Sequence, residues 1–180
     1  MARMLSLFLL LGAALQLYAQ SPGPAFDEYQ VKAAFLYNFA KFVEWPRGSF
    51  ANPTDPIVIC IVGSNPFGST LEDMVRGKKI GERAFVVRRL PDTQQAKSCQ
   101  ILFIGAGEWK RVRALLDALK GAAVLTVGET DDFTSSGGVI AFQLQGPRVR
   151  IQISLESAEQ AKLRISSKLL SPAEIANRQP

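Results

Sequence analysis

The sequence predicts an α/β protein, a single compact domain with a mixed β-sheet flanked by helices, ending in an antiparallel hairpin and a closing helix. Three observations predict it. Short, almost wholly apolar runs stand at residues 57–62, 100–104 and 122–127, and such runs read as strands covered on both faces. Stretches with three- and four-residue apolar spacing lie before and between them. The last third changes to alternating apolar and polar residues on either side of a turn.

Residues 20–26, QSPGPAF, carry two prolines and form a flexible lead-in. From about residue 27, Tyr29, Ala33, Leu36, Ala40 and Val43 recur at helical spacing, Phe35, Phe39 and Phe42 widen the stripe, and Pro46 ends the helix. A polar loop over 47–56 leads into the strand 57–62. That strand opens into Gly63-Ser64-Asn65-Pro66-Phe67-Gly68, followed by a short helix over 69–76 that Gly77 ends. Residues 84–90 are strand-like, 91–98 form a polar connection, and QILFI at 100–104 is a second apolar strand. An amphipathic helix follows over 108–120, with Trp109, Val112, Leu115, Leu116 and Leu119 on one side and Gly121 as terminator. Residues 122–127 make a third apolar strand.

Strands over 139–144 and 149–153 flank Gln145-Gly146-Pro147-Arg148, a hairpin signal. Val149, Ile151 and Ile153 alternate with Arg150 and Gln152, so one face is buried and the other wet. Ser157-Ala158-Glu159-Gln160 resembles a capping box, and a closing helix runs to about residue 170 with Ala158, Ala161, Ile165 and Leu169 inward. No internal repeat, low-complexity block or linker divides residues 20–180.

The first residues predict export. Arg3 precedes an apolar run from Met4 to about Leu17, and Leu17-Tyr18-Ala19 comes before Gln20. That is the pattern of a cleaved secretory signal peptide over residues 1–19, and the run is shorter than the roughly 20 residues of a spanning helix. The expected mature chain is soluble and periplasmic. Its formal charge is +4, the +5 of the whole chain less Arg3. The cations are spread out, with pairs such as Arg88-Arg89 and Arg148/Arg150 in strand-like segments, which is not the clustered footprint of a nucleic-acid-binding protein.

Cys60 and Cys99 are the only cysteines. In an exported chain they are candidates for one disulfide, and the alternative is two buried thiols. Pairing would set the segment before Ile101 beside the 57–62 strand, because bridged Cα atoms lie within about 7 Å.

No catalytic, cofactor or metal site emerges. The chain has no histidine, which excludes Ser-His-Asp and Cys-His machinery and imidazole zinc sites. No Ser-x-x-Lys is present. Glu129, Asp131 and Asp132 in GETDDF could gather round a cation, but they lack a calcium-loop ladder and read as a polar turn. The 63–68 loop has the position of a phosphate-binding turn but not its spacing, and Pro66 removes an amide donor. Trp45, beside a loop, either packs the end of the first helix or lines a pocket.

Several stretches, in order, resemble the YfiR family of bacterial periplasmic proteins. They are EYQVKAAFLYNFAKFVEWP, PIVICIVGSNPFG, the C-x-ILFI segment from Cys99, VLTVGETDDF, GGVIAFQLQG with VRIQIS, and ISSKLL. The resemblance runs from about residue 28 to 170. It implies a non-enzymatic repressor that binds the periplasmic sensor region of an inner-membrane diguanylate cyclase and lowers cyclic di-GMP and biofilm growth. It also implies a homodimer, an envelope lipoprotein as a further partner, and a Cys60–Cys99 disulfide. A second family disulfide would fall within 127–138, where this chain has no cysteine, so a single bridge is left to act structurally or as a redox control. The alternative function is a small-ligand-binding module serving another membrane sensor or receptor.

Overall fold

The computed structural model describes residues 27–176 apart from Asp92 and Pro172. The expected signal peptide lies outside the described residues.

The first helix, α1 (Glu28–Phe42), begins where Asp27 Oδ1 accepts hydrogen bonds from the backbone N–H groups of Tyr29 and Gln30. It passes directly into a two-residue strand, β1 (Val43–Glu44). Next come β2 (Ile57–Val62), α2 (Thr70–Val75), β3 (Lys79–Ile80) and β4 (Arg83–Leu90). A 3-10 turn leads to β5 (Ile101–Ile104), α3 (Trp109–Ala118) and β6 (Leu125–Gly128). The hairpin is β7 (Ile140–Gln145) and β8 (Arg148–Ile153), and the chain closes with α4 (Leu155–Gln160), β9 (Arg164–Ile165), α5 (Ser167–Leu170) and β10 (Glu174–Ile175).

Among the described residues, eight strands form one sheet in the order β10-β8-β7-β6-β5-β2-β4-β3, and β1 pairs separately with β9. β4, β2, β5, β6 and β7 are mutually parallel, while β3 and β8 run antiparallel to their neighbours β4 and β7. The sheet is therefore mixed, and the expected hairpin is its antiparallel arm.

The apolar runs divide by parity, as a period of two requires. Ile57, Ile59 and Ile61 of β2 join Ile101 and Phe103 of β5 and Leu125 and Val127 of β6 in a core under Ala33, Leu36, Phe39 and Ala40 of α1. Val58, Cys60 and Val62 face the other way and meet Leu102, Ile104 and the α3 residues Val112, Leu115 and Leu116. In β8 only one parity is apolar: Val149, Ile151 and Ile153 join the α1 side, and Arg148 and Arg150 are exposed.

The structure revises some local expectations. Trp109 is 62% exposed and does not share the buried side of α3. The closing helical segment comes as two short helices. Lys162 has φ +59°, and the Leu163 and Lys162 N–H groups bond the carbonyls of Ala158 and Glu159. This is a Schellman stop, made without the glycine that would have announced it. Ile165 then pairs with Val43 instead of continuing a helix. Ser154, not Ser157, caps α4, its Oγ accepting from the Ser157 N–H at 3.2 Å.

Cys60 and Cys99 form a disulfide with Cα atoms 5.9 Å apart, and both are fully buried. Next to it, Gln100 ties four segments together at the amino ends of the strands. Its side-chain Oε1 accepts from Val58 N–H, its Nε2 donates to Ser49 O, and its backbone oxygen accepts from Leu125 N–H and the Trp45 indole. A bridge closing a 39-residue separation contributes about 4 kcal/mol by restricting the unfolded chain. Reducing the protein, or replacing Cys60 and Cys99 by Ser, is expected to lower the unfolding free energy in urea by about that amount.

Candidate functional site

In an open α/β sheet, ligands enter at the carboxyl ends of the strands, where successive connections leave a strand in opposite directions. Here that point lies between β2 and β5, since β2 has β4 on one side and β5 on the other. The loops after β2, β5 and β6 meet there, and the first turn of α1 lies against them.

The loop after β2 is bound to itself. Asn65 Oδ1 accepts from Phe67 N–H at 3.0 Å, and Asn65 Nδ2 donates to Gly68 O at 2.8 Å. Pro66 has no N–H to offer. Gly63, at φ +82°, lies against the Glu108 side chain so closely that a Cβ there would stand 2.5 Å from Oε1. A carboxylate thus occupies the neighbourhood in which a phosphate would need donors. Phe67 turns inward, 3% exposed, with its ring 4.8 Å from that of Phe103 and 5.5 Å from that of Tyr29. The loop closes the crevice with an aromatic side chain rather than opening it to an anion.

Beside this aromatic stack is a buried ionic group. Lys32 projects from the inward stripe of α1 and is 3% exposed. Its ammonium is paired with Glu28, one turn earlier, and with Glu129, just after β6. The Tyr29 hydroxyl donates to Glu129 Oε2 at 3.2 Å, and the Lys32 ammonium stands 4.7 Å from the Tyr29 ring centroid. A charge at this depth persists only when paired and hydrogen-bonded. Burial, and then the charge and hydrogen bond of Glu129, push the Tyr29 phenol up to about 12. The lysine is held by two carboxylates and Glu129 by two donors, so the group fastens α1 to the sheet.

The three acids of GETDDF do not converge. Glu129 turns in to Lys32, while Asp131 and Asp132 are exposed. Among the described residues no group of three or more Cys, Asp or Glu side chains could hold a metal ion. The loop is shaped by Phe133, 1% exposed, which sits between Gly128 and Gly138 so closely that a Cβ on either would fall within about 2.2 Å of its ring. Trp45 is partly buried against the core, its indole donating to Gln100 O at 3.3 Å and its ring edge-on to Phe50. Lys32 is not among the candidates expected from the sequence, although a signal for it was present: it lies three residues after Tyr29 and four before Leu36, on the buried stripe.

Several cavities stay open among the described residues, and two of them bear on function. A polar one of about 730 Å3 lies beside β8 and the carboxyl end of α3, with Arg113, Asp131, Thr134, Gln152 and Glu174 on its wall. A smaller one of about 300 Å3 lies between α2 and β4, lined by Val75, Phe85, Val87, Arg76 and Lys79.

A family model described as YfiR/HmsC-like matches residues 29–174. No curated protein matches the chain. Among solved structures, a conserved domain protein from Vibrio cholerae O1 biovar El Tor is similar at a TM-score of 0.58 and 10% identity, over 83% of this chain and 60% of that one. The ABC domain from Streptococcus pneumonia, solved in complex with L-Trp, is similar at a TM-score of 0.53 and 8% identity, over 82% of this chain and 60% of that one. The chain thus spans about three-fifths of the structures it matches, and at these identities the likeness is one of fold. Among the described residues no helix is long and apolar enough to cross a membrane.

Lys32→Met leaves Glu129 buried without its cation and is expected to cost about 3–5 kcal/mol in urea unfolding, while Lys32→Met with Glu129→Leu recovers most of it. Tyr29 predicts a pH effect as well. Its folded pKa of about 12 exceeds the ordinary 10.0, so its contribution is complete below pH 10 and is lost as pH rises toward 12. Tyrosinate absorbance should show a late-ionising component that Tyr29→Phe removes.

Proposed function

The chain belongs to the YfiR/HmsC-like family, and from that premise we propose that it is a periplasmic, non-enzymatic regulator that binds the periplasmic sensor region of an inner-membrane diguanylate cyclase and represses it. The family match over residues 29–174 carries this reading. It is supported by the carboxyl end of the sheet, where Phe67 fills the crevice and the Lys32 ammonium is taken up by Glu28 and Glu129. A protein so arranged works through its outer surface. Repression then follows from stoichiometric binding that favours the inactive cyclase, limited by the difference in affinity for its two states. Turning a 99:1 active population into 1:99 needs a preference of about 10,000-fold. We also infer a homodimer, with an envelope lipoprotein as the partner that relieves repression.

The polar cavity of about 730 Å3 favours a second reading, a small-ligand-binding module serving another membrane sensor or receptor. The fold it shares with a domain solved with L-Trp is consistent with that use. A thermal-shift screen with amino acids, vitamins and nucleotides separates the readings, because only a ligand module gains stability from one of them.

The leading reading predicts that residues 20–180, immobilised and exposed to detergent-solubilised membranes of the host, retain a membrane protein with a cytoplasmic cyclase domain. It also predicts that deleting the gene raises cyclic di-GMP. Unchanged cyclic di-GMP in the deletion strain would overturn the cyclase assignment.

A further inference from the structure

β4 has a partner on one side only along most of its length. β2 pairs with it from Phe85 to Leu90. On the other side β3 reaches only Arg83 and Ala84. Alternate residues of a parallel strand direct their N–H and C=O groups to opposite sides. Over residues 85–90 the outer side therefore presents backbone donors and acceptors that no strand among the described residues takes up. Such an edge is a template for an added strand.

The edge is strongly basic. Residues 76–90 hold Arg76, Lys78, Lys79, Arg83, Arg88 and Arg89 against a single acid, Glu82. Part of this charge is engaged: Arg76 with Asp73, Arg89 with Glu72, and Arg83 with the backbone oxygens of Asn52 and Asp55. Lys79 and Arg88 are exposed and pair with no carboxylate among the described residues. Apolar surface accompanies the charge. Val86 is 36% exposed, and the cavity of about 300 Å3 beside the edge is walled by Val75, Phe85 and Val87.

Cations on an edge strand keep like edges apart. A second copy pairing here would bring two such basic segments together, whereas an acidic segment would gain from both the charge and the backbone. We propose that the free edge of β4 takes up an extended acidic segment of a partner protein as an added strand. Apolar side chains at alternate positions enter the cavity, and carboxylates meet Lys79 and Arg88. The inference rests on the reading that this protein works by binding another protein, and it names the surface and the chemistry of that partner.

The probes are two acetylated ten-residue peptides, one alternating Val with Glu and the other Val with Lys, added to residues 20–180. Amide hydrogen exchange is expected to show new protection over 85–90 with the Glu peptide and none with the Lys peptide. Lys79→Glu with Arg88→Glu, both at exposed positions, should abolish the preference for the Glu peptide. Protection elsewhere, no protection, or equal protection by both peptides overturns the proposal. So does a free protein that is dimeric with 85–90 already protected, since the occupant is then a second copy. Membrane pull-down with the same double variant separates this idea from the regulator reading. If wild type and variant retain the cyclase equally, the regulator stands and the β4 edge is overturned as its docking surface. If wild type retains no membrane protein while the Glu peptide protects β4, the edge stands and the cyclase assignment falls.

Discussion

β2 lies in the middle of the sheet with no wet face: all six of its side chains are buried, and they alternate between two cores. A strand of this kind needs cover above and below, and the rest of the chain supplies it. α1 and α2 cover the face of Ile57, Ile59 and Ile61, and α3 covers that of Val58, Cys60 and Val62. The parallel neighbours β4 and β5 follow from the same demand, because crossover connections place helices on the faces of a sheet. Where the demand lapses, the architecture changes. β8 buries one parity only, runs antiparallel to β7, and leaves Arg148 and Arg150 in water.

Much of this was legible in the residues. The apolar runs announced β2, β5 and β6, and the alternation in VRIQI gave both the hairpin arm and its wet face. The less legible parts share a physical cause: they depend on partners distant in sequence. Lys162 adopts a left-handed conformation that local preference assigns to glycine, because Arg164 and Ile165 must turn to pair with β1. Trp109 fits the apolar spacing of α3 but stands in the first turn, beyond the reach of the core. The candidate site shows the same division. The reading of the 63–68 loop as an ordinary turn rested on Pro66 and on spacing, both local. The pairing of Lys32 with Glu129 spans 97 residues and could be located only once α1 had a sheet to lie on.

The ionic group and the aromatic stack together decide how α1 sits. Apolar contact alone would let a helix slide on a sheet, since methyl groups accept many registers. A buried ammonium held by Glu28 and Glu129 does not, because any shift leaves a charge uncompensated. The group contributes definition of position more than stability, and it fixes the surface that α1 and its neighbouring loops present to a partner.

The Cys60–Cys99 bridge also bears on the rate at which the fold is reached. A parallel pair such as β2 and β5 is slow to form, since its intervening chain must lose loop entropy before any contact compensates. Once the two sulfurs are joined that loop is closed, and β5 begins two residues beyond Cys99, within reach of its register. In an oxidising compartment the chain would therefore start its search with its central pairing half made. Oxidation can then set the order of events, with β2 and β5 meeting first and the outer strands adding to either side.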